Sequence, residues 1–228
     1  AAGLAISSRM TSQINGLNVA VRNANDAISY LQTADGAIVE VSNMLQRMRE
    51  LAVQAASGTI GETDQDALNV EFEALTLQIQ DISTDTQWNG VAILDGQQGS
   101  VSFQVGANAS QTIALEVGDY NTNNGSESAT LGANGSIFSS LDTNGNRSSV
   151  TDAHDLAELH IDNTTSTSAP FGTTAAIYAL DHAIDNVNAD RAAIGATINR
   201  LEYAADNLAN VSQNTSASRS RILDADYA

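Results

Sequence analysis

Two stretches, one near each end of the chain, repeat apolar residues every seven positions over many helical turns with no proline to interrupt them. In the first, from Ala1 to Ser57, one row runs Leu17, Ala24, Leu31, Ile38, Leu45 and Ala52. A second row starts as Val21 and Ile28 and then shifts register to Ala34, Val41, Met48 and Ala55. Alternating steps of three and four place both rows on one helical face, the pattern of a coiled-coil seam. In the second stretch, Leu180, Val187, Ile194, Leu201 and Leu208 form one row. Ile177, Ile184, Arg191, Ile198 and Ala205 form its partner row, with Arg191 the one charged member, expected to set register or to make a buried contact to an acidic neighbour. A helix of about 55 residues is about 80 Å long at 1.5 Å per residue, far beyond the ordinary globular helix of about 11 to 12 residues. A single apolar stripe cannot hold such a helix alone. The two ends must therefore pair, with both termini at the same end of a rod.

Between them, Ser57-Gly58-Thr59-Ile60-Gly61 supplies a helix stop. Thr63 followed by Asp66 is an N-cap signal of the capping-box type, weakened because Asp is shorter than Glu. Leu68, Phe72, Leu75, Ile79 and Ile82 predict a second helix that ends near Thr84 and folds back antiparallel on the first. Gln87-Trp88-Asn89-Gly90 breaks the period. Val91 to Leu94, a turn at Asp95-Gly96 and Val101 to Val105 predict a β-hairpin, and the alternation of Thr112 to Val117 a third strand. From Gly118 to Gly172 Asn, Ser, Thr and Gly dominate, with Ile137-Phe138 and Leu156 to Ile161 as short apolar pieces. Thr173 or Thr174 caps the last helix. The expected fold is mainly α: an elongated antiparallel coiled-coil-like bundle of two N-terminal helices and one C-terminal helix, with a β-hairpin region and a small irregular or α+β insert. The corresponding division is 1–117, 118–172 and 173–228.

Composition narrows the function. Aromatic residues are 4% of the chain against 42% hydrophobic residues, so the core is aliphatic and suits helix-on-helix packing. Twenty-seven Asp and Glu stand against 9 basic residues, all of them arginine, for a net charge of −18. Nucleic acid is excluded as a partner by the lack of a basic footprint, and the acidity favours solubility through self-repulsion. No run approaches the roughly 18 to 20 apolar residues of a membrane span, and no signal peptide opens the chain. With no cysteine there is no disulfide or thiolate chemistry, and quaternary packing is a natural source of stability.

Catalytic and metal motifs are thin, and no cofactor is expected. His154 and His160 are six apart, whereas zinc-protease helices need histidines four apart around the glutamate. Asp142-Thr-Asn144-Gly-Asn146 starts like a calcium loop, but Arg147 stands where glycine belongs and Ala153 where the closing glutamate should be. A turn fits it better. The serines have no His and Asp spacing of a nucleophile. Asn-x-Ser/Thr matches such as Asn134 and Asn163 arise easily in so polar a composition.

Five motifs, in order, carry a family resemblance: Ala2-Gly-Leu-Ala-Ile-Ser-Ser-Arg-Met10, Gln46-Arg-Met-Arg-Glu-Leu-Ala-Val-Gln54, Thr86-Gln-Trp-Asn-Gly90, Phe103-Gln-Val-Gly-Ala-Asn108, and Ala217-Ser-Arg-Ser-Arg-Ile-Leu-Asp-Ala-Asp-Tyr-Ala228. Together they resemble bacterial flagellin, leaving out only about Gly118 to Gly172. The resemblance implies a rod domain with a variable, exposed and often O-glycosylated insert, and no enzyme. It implies subunits that self-associate into the flagellar filament, the extracellular propeller of swimming motility. Export would run through the flagellar apparatus, with a secretion chaperone and a cap as partners. The chain begins and ends inside the family pattern, so the segments that form the filament's inner tube are expected to be missing and polymerisation to be poor. Gln46 to Gln54 also resembles the segment recognised by the host Toll-like receptor for flagellin, with Met48 in place of the commoner Val. On that resemblance Gln46, Arg47, Glu50, Leu51 and Gln54 lie in the contact surface, with Glu71 as an acidic position on the second helix. The competing explanation is a solvated face or a contact between subunits. Two rival functions are a hook-associated junction protein, disfavoured by the intact Gln46 to Gln54 and Phe103 to Asn108 motifs, and a surface adhesin. The adhesin would need clustered aromatics where the insert has only Tyr120, Phe138 and Phe171.

Overall fold

A computed structural model describes residues 2–122, 161 and 173–227. Ile137-Phe138, Leu156 to His160, the turn at Asp142 to Asn146, His154, and the glycosylation candidates Asn134 and Asn163 lie outside the described residues. The elements are α1 (Ala2–Ala55), α2 (Glu62–Asp85), β1 (Gln87–Trp88), β2 (Val91–Ala92), β3 (Ser100–Gln104), β4 (Thr112–Glu116) and α3 (Thr173–Tyr227). The chain is mainly helical, as its heptads predict, and the two long helices are unbroken over 54 and 55 residues.

Contacts divide the chain into two units, each drawing on both ends of the sequence. The first comprises residues 1–32, 100–115 and 193–228; its five arginines balance its five acids, and we call it the neutral unit. The second comprises residues 33–99 and 116–192; its 22 acids against four arginines carry the whole excess negative charge, and we call it the acidic unit.

In the acidic unit three helices share an aliphatic core. Ala34, Ile38, Val41, Leu45, Met48, Ala52 and Ala55 of α1 are all essentially inaccessible, as are Phe72 and Ile79 of α2 and Leu180 and Val187 of α3. Burying each such side chain contributes roughly 1.5–3 kcal/mol, which is what overcomes the ordering cost of long helices. Gln65 Nε2 donates to Ala55 O at 2.9 Å next to the α1–α2 connection, and Arg47 reaches Glu71 further from it. Partners that separate in opposite directions along the chain mean antiparallel helices. α3 is tied to α1 by Arg49 with Asp181 and by Arg191 Nε donating to Asp35 Oδ1 at 2.9 Å. The intruder Arg191 thus meets an acidic neighbour, in a half-exposed rather than a buried contact.

Three local expectations change. Thr63 is not the N-cap of α2: Gly61 is, without a side-chain cap, and the helix starts at Glu62. Glu62 and Asp64 in the first turn serve the exposed N–H groups electrostatically instead. The predicted strand pairing is also different. Val91 and Ala92 pair backwards with Trp88 and Gln87, because Asn89 and Gly90 adopt positive φ (51° and 80°), the combination a tight two-residue hairpin turn requires. β3 pairs forwards with β4. Ile93 and Leu94 are buried core residues outside any ladder, and Leu94 O accepts both Ser83 Oγ and Tyr120 N at 2.9 Å. Finally, the second deep row of α3 is not Ile177, Ile184, Arg191 and Ile198, which are half-buried. It lies one residue earlier, in Ala176, Ala183 and Thr197, with Asp190 at the intervening position. Small side chains fill the line of closest helix approach, and the isoleucines flank it.

The neutral unit pairs α1 with α3 and adds the β3–β4 hairpin. Leu17, Ala20, Ala24, Ala27 and Leu31 of α1 and Ile194, Leu201 and Leu208 of α3 are buried. Ser212 Oγ bonds Asn18 Oδ1 at 2.8 Å, and Arg219 donates to Thr11 Oγ1 at 3.2 Å. Moving back along α1 from Asn18 to Thr11 moves the partner forward by the same number of residues, which is strict antiparallel register. The hairpin docks on α1 through Asn23 Nδ2 donating to Gln104 O at 3.3 Å and an edge-on Tyr30–Phe103 ring contact at 5.7 Å. A Cβ on Gly16 would come within 3.3 Å of Ala107 Cβ, so glycine there admits the hairpin loop to the helix surface.

Candidate functional site

The acidic unit carries the residues singled out from the sequence. Gln46, Arg47, Glu50 and Gln54 are exposed on α1, and Glu71 is exposed on α2. Helical spacing puts Arg47 and Glu50 one turn apart on the same side, and the antiparallel return of α2 brings Glu71 alongside. Arg47 Nε donates to Glu71 Oε1 at 2.9 Å, and its terminal nitrogens reach Glu71 at 2.8 Å and Glu50 at 3.1 Å. The hydrogen bonds that Arg47 donates to Glu71 and, second, to Glu50 raise the guanidinium's affinity for its proton. One cation held between two carboxylates leaves a net negative face with both donors and acceptors at its rim. Such an exposed cluster adds little stability; it fixes side-chain positions across two helices.

Leu51 is the exception. It is 1% exposed, inside the helical core. It follows Glu50 by about 100° around the helix, which turns it inward to sit with Met48, Ala52 and Ala55. Its place is as a support under the exposed cluster.

A second polar cluster, absent from the sequence reading, joins α3 to the segment after β4. Asp190 Oδ2 accepts the Tyr120 hydroxyl and the Gly118 N–H, each at 3.2 Å. Tyr120 is fully buried. Burial raises the Asp190 pKa, partly offset by these two hydrogen bonds, and burial together with the Asp190 charge pushes the Tyr120 phenol far above its usual range. Burial likewise raises Asp119, against the pull of the Asn121 N–H, with Asp95 adding repulsion. The available signal was an aspartate three residues after Val187 and four before Ile194, on the seam itself. α2 contributes two further anchors: Gln80 Oε1 accepts the N–H and hydroxyl of Thr122 at 2.8 and 2.9 Å, and Asn69 Oδ1 accepts the Ile161 N–H at 3.1 Å. Among the described residues no group of acidic or histidine side chains is arranged to hold a metal ion, and no helix is long and apolar enough to cross a membrane.

Long paired helices held by continuous buried seams, with an ion-paired outer face, define a class of chain built on helix-to-helix packing. Residues 1–99 match the bacterial flagellin N-terminal helical region, and residues 177–228 the bacterial flagellin C-terminal helical region. The chain is 38% identical to flagellin of Bacillus subtilis, with 100% of this chain and 75% of that one covered, and 40% identical to flagellin of Halalkalibacterium halodurans, with 100% and 72% covered. Its fold matches the crystal structure of Bacillus cereus flagellin with a TM-score of 0.56 and 30% identity, over 82% of this chain and 88% of that one. It also matches the fold of FliC from Burkholderia pseudomallei, with a TM-score of 0.53 and 23% identity, over 76% and 99%. The chain belongs to the bacterial flagellin family. That family is structural rather than enzymatic, and its standard role is the self-assembling subunit of the flagellar filament.

Proposed function

We propose that this chain is the propeller subunit of swimming motility, delivered by the flagellar export apparatus with a secretion chaperone and a cap, and that it is also a ligand of the host Toll-like receptor for flagellin. The second role uses the exposed face of Gln46, Arg47, Glu50, Gln54 and Glu71, with Leu51 beneath it. The observation that supports it is the Arg47 cluster. Glu71 and Glu50 hold the guanidinium in one orientation before any partner arrives, which lowers the ordering cost of binding. Its donors and acceptors suit a polar protein surface of mixed charge.

Immunogold electron microscopy of the producing cell, with antibodies to this chain, tests the motility role. Label along the whole filament is the expected result; label confined to the hook junction or spread over the cell body refutes it. For the receptor role, reporter cells bearing the receptor are titrated with the chain and with its Arg47→Ala and Glu71→Ala variants. A potency loss of about tenfold or more is expected, the size of a contact at the centre of an interface, with helical circular dichroism unchanged. Equal potency of all three proteins refutes the assignment.

A further inference from the structure

α2 has two apolar faces. The inner one holds Phe72 and Ile79. On the outer one Ala67, Val70, Ala74 and Leu77, again spaced by three and four, are all exposed, Val70 by 67% and Leu77 by 66%. Nothing among the described residues covers this stripe, although its spacing is that of a helix-packing seam. The charged residues of α2 are all acidic, seven acids with no basic residue, and of these Glu71 is paired with Arg47 of α1.

The neutral unit holds the complementary feature. An open groove of about 520 Å³ runs between α1 and α3, bordered by Ile14 and Val21 on one side and by Ala209, Ser212, Ser216 and Ser220 on the other. The small side chains on α3 let another helix approach closely. Ile14 and Val21 are seven residues apart, as are Val70 and Leu77, so both pairs span about 10.5 Å of helix and match in length. Arg22 adjoins Val21 in sequence, and Arg221 adjoins Ser220; both are exposed. Arg9, Arg22 and Arg200 form no ion pair among the described residues, and all lie in the neutral unit.

Charge selects the occupant. Two acidic units repel one another at the close range where screening is incomplete, so a second copy must approach the acidic unit with its neutral one. We propose that the outer stripe of α2 in one copy seats in the α1–α3 groove of the neutral unit of another copy, with the acids of α2 facing the arginines beside the groove. The contact rests on the filament reading above and deepens it. It joins two different patches, so a pair held by one such contact still offers one stripe and one groove to further copies.

Complementation by mixing tests this. One variant blocks the stripe (Val70→Glu with Leu77→Glu) and another blocks the groove (Ala209→Glu with Ser220→Glu); all four positions are exposed, so folding is preserved and is checked by circular dichroism. In sedimentation experiments over a concentration series the unaltered chain associates weakly, into dimers and a few longer species at the highest concentrations, in keeping with poor polymerisation, and each variant alone associates at least about tenfold more weakly still. An equimolar mixture forms one-to-one complexes and nothing larger, since only one good stripe and one good groove remain per pair. Three results overturn the proposal: an unaltered chain that is monomeric throughout, a variant that associates as well as the unaltered chain, or a mixture that forms no complex. A stripe variant that loses receptor potency while still self-associating assigns the outer face of α2 to the receptor and also overturns it. Filament labelling on the cell is independent of all these results, so the docking contact fails separately from the filament role.

Discussion

Replacing Tyr120 by phenylalanine removes a hydrogen bond to a partly buried charge. The hydroxyl donates to Asp190 Oδ2 at 3.2 Å and Tyr120 is fully buried, so water cannot take its place. A hydrogen bond to a charged group contributes about 1.5–3 kcal/mol. Tyr120→Phe leaves the carboxylate with the Gly118 N–H, also at 3.2 Å, and the cost at pH 7 should fall near 2 kcal/mol. For a chain of this size that lowers the melting temperature by about 4–8 °C. The loss carries a pH signature. Asp190 already has its pKa raised in the folded state, so its contribution is fully present below the unfolded value and is lost as pH rises through the folded one. Removing the hydroxyl takes away a bond that favours the charged form and raises the folded pKa further. The difference between the two proteins is therefore largest above both folded pKa values and shrinks as the pH falls through them. Urea unfolding followed by circular dichroism at pH 7 and at descending pH measures it. A deficit that is constant with pH, or below about 0.5 kcal/mol at pH 7, the ordinary range of an inconsequential substitution, refutes the charge-acceptor account.

Gly96 has φ of +72°, and an added Cβ would lie 2.5 Å from Asp119 Cγ, so Gly96→Ala should destabilise by about 1–3 kcal/mol in thermal melts; an unchanged melting temperature would mean that the loop shifts freely. Phe72→Ala empties a fully buried site in the acidic unit and should cost about 3–5 kcal/mol, read from the urea midpoint. Leu51→Ala should cost about 2–5 kcal/mol whereas Gln46→Ala stays within about 0.5 kcal/mol. Equal melting behaviour of that pair would contradict the buried position of Leu51.

Periodicity made the helices legible because burial of one face repeats with the helix itself. Leu17 to Ala52 and Leu180 to Leu208 are buried along their whole rows. Hydrophobicity places the partner row on α3 one residue late, ranking Ile177 and Ile184 above Ala176 and Ala183, whereas close helix approach selects the smaller side chains. The hairpin pairing is not legible in the sequence because Asn89-Gly90 marks both a helix break and a two-residue turn, and only the backbone φ values separate the two. Of the candidate face, the exposed members follow from helical spacing. The Arg47–Glu71 bond depends on where α2 returns, and Tyr120 with Asp190 on a contact across 70 positions of sequence, which no local pattern encodes.

The anchors of Thr122 on Gln80 and of Ile161 on Asn69 have a consequence for how such a chain can change over time. Both attachment points belong to one helix and are eleven residues apart, about 16 Å along its axis. A replacement for the intervening sequence whose two ends can meet that spacing can be exchanged without disturbing the packing of α2. The helical packing and the sequence between the two anchors are then separate heritable modules, free to evolve at different rates.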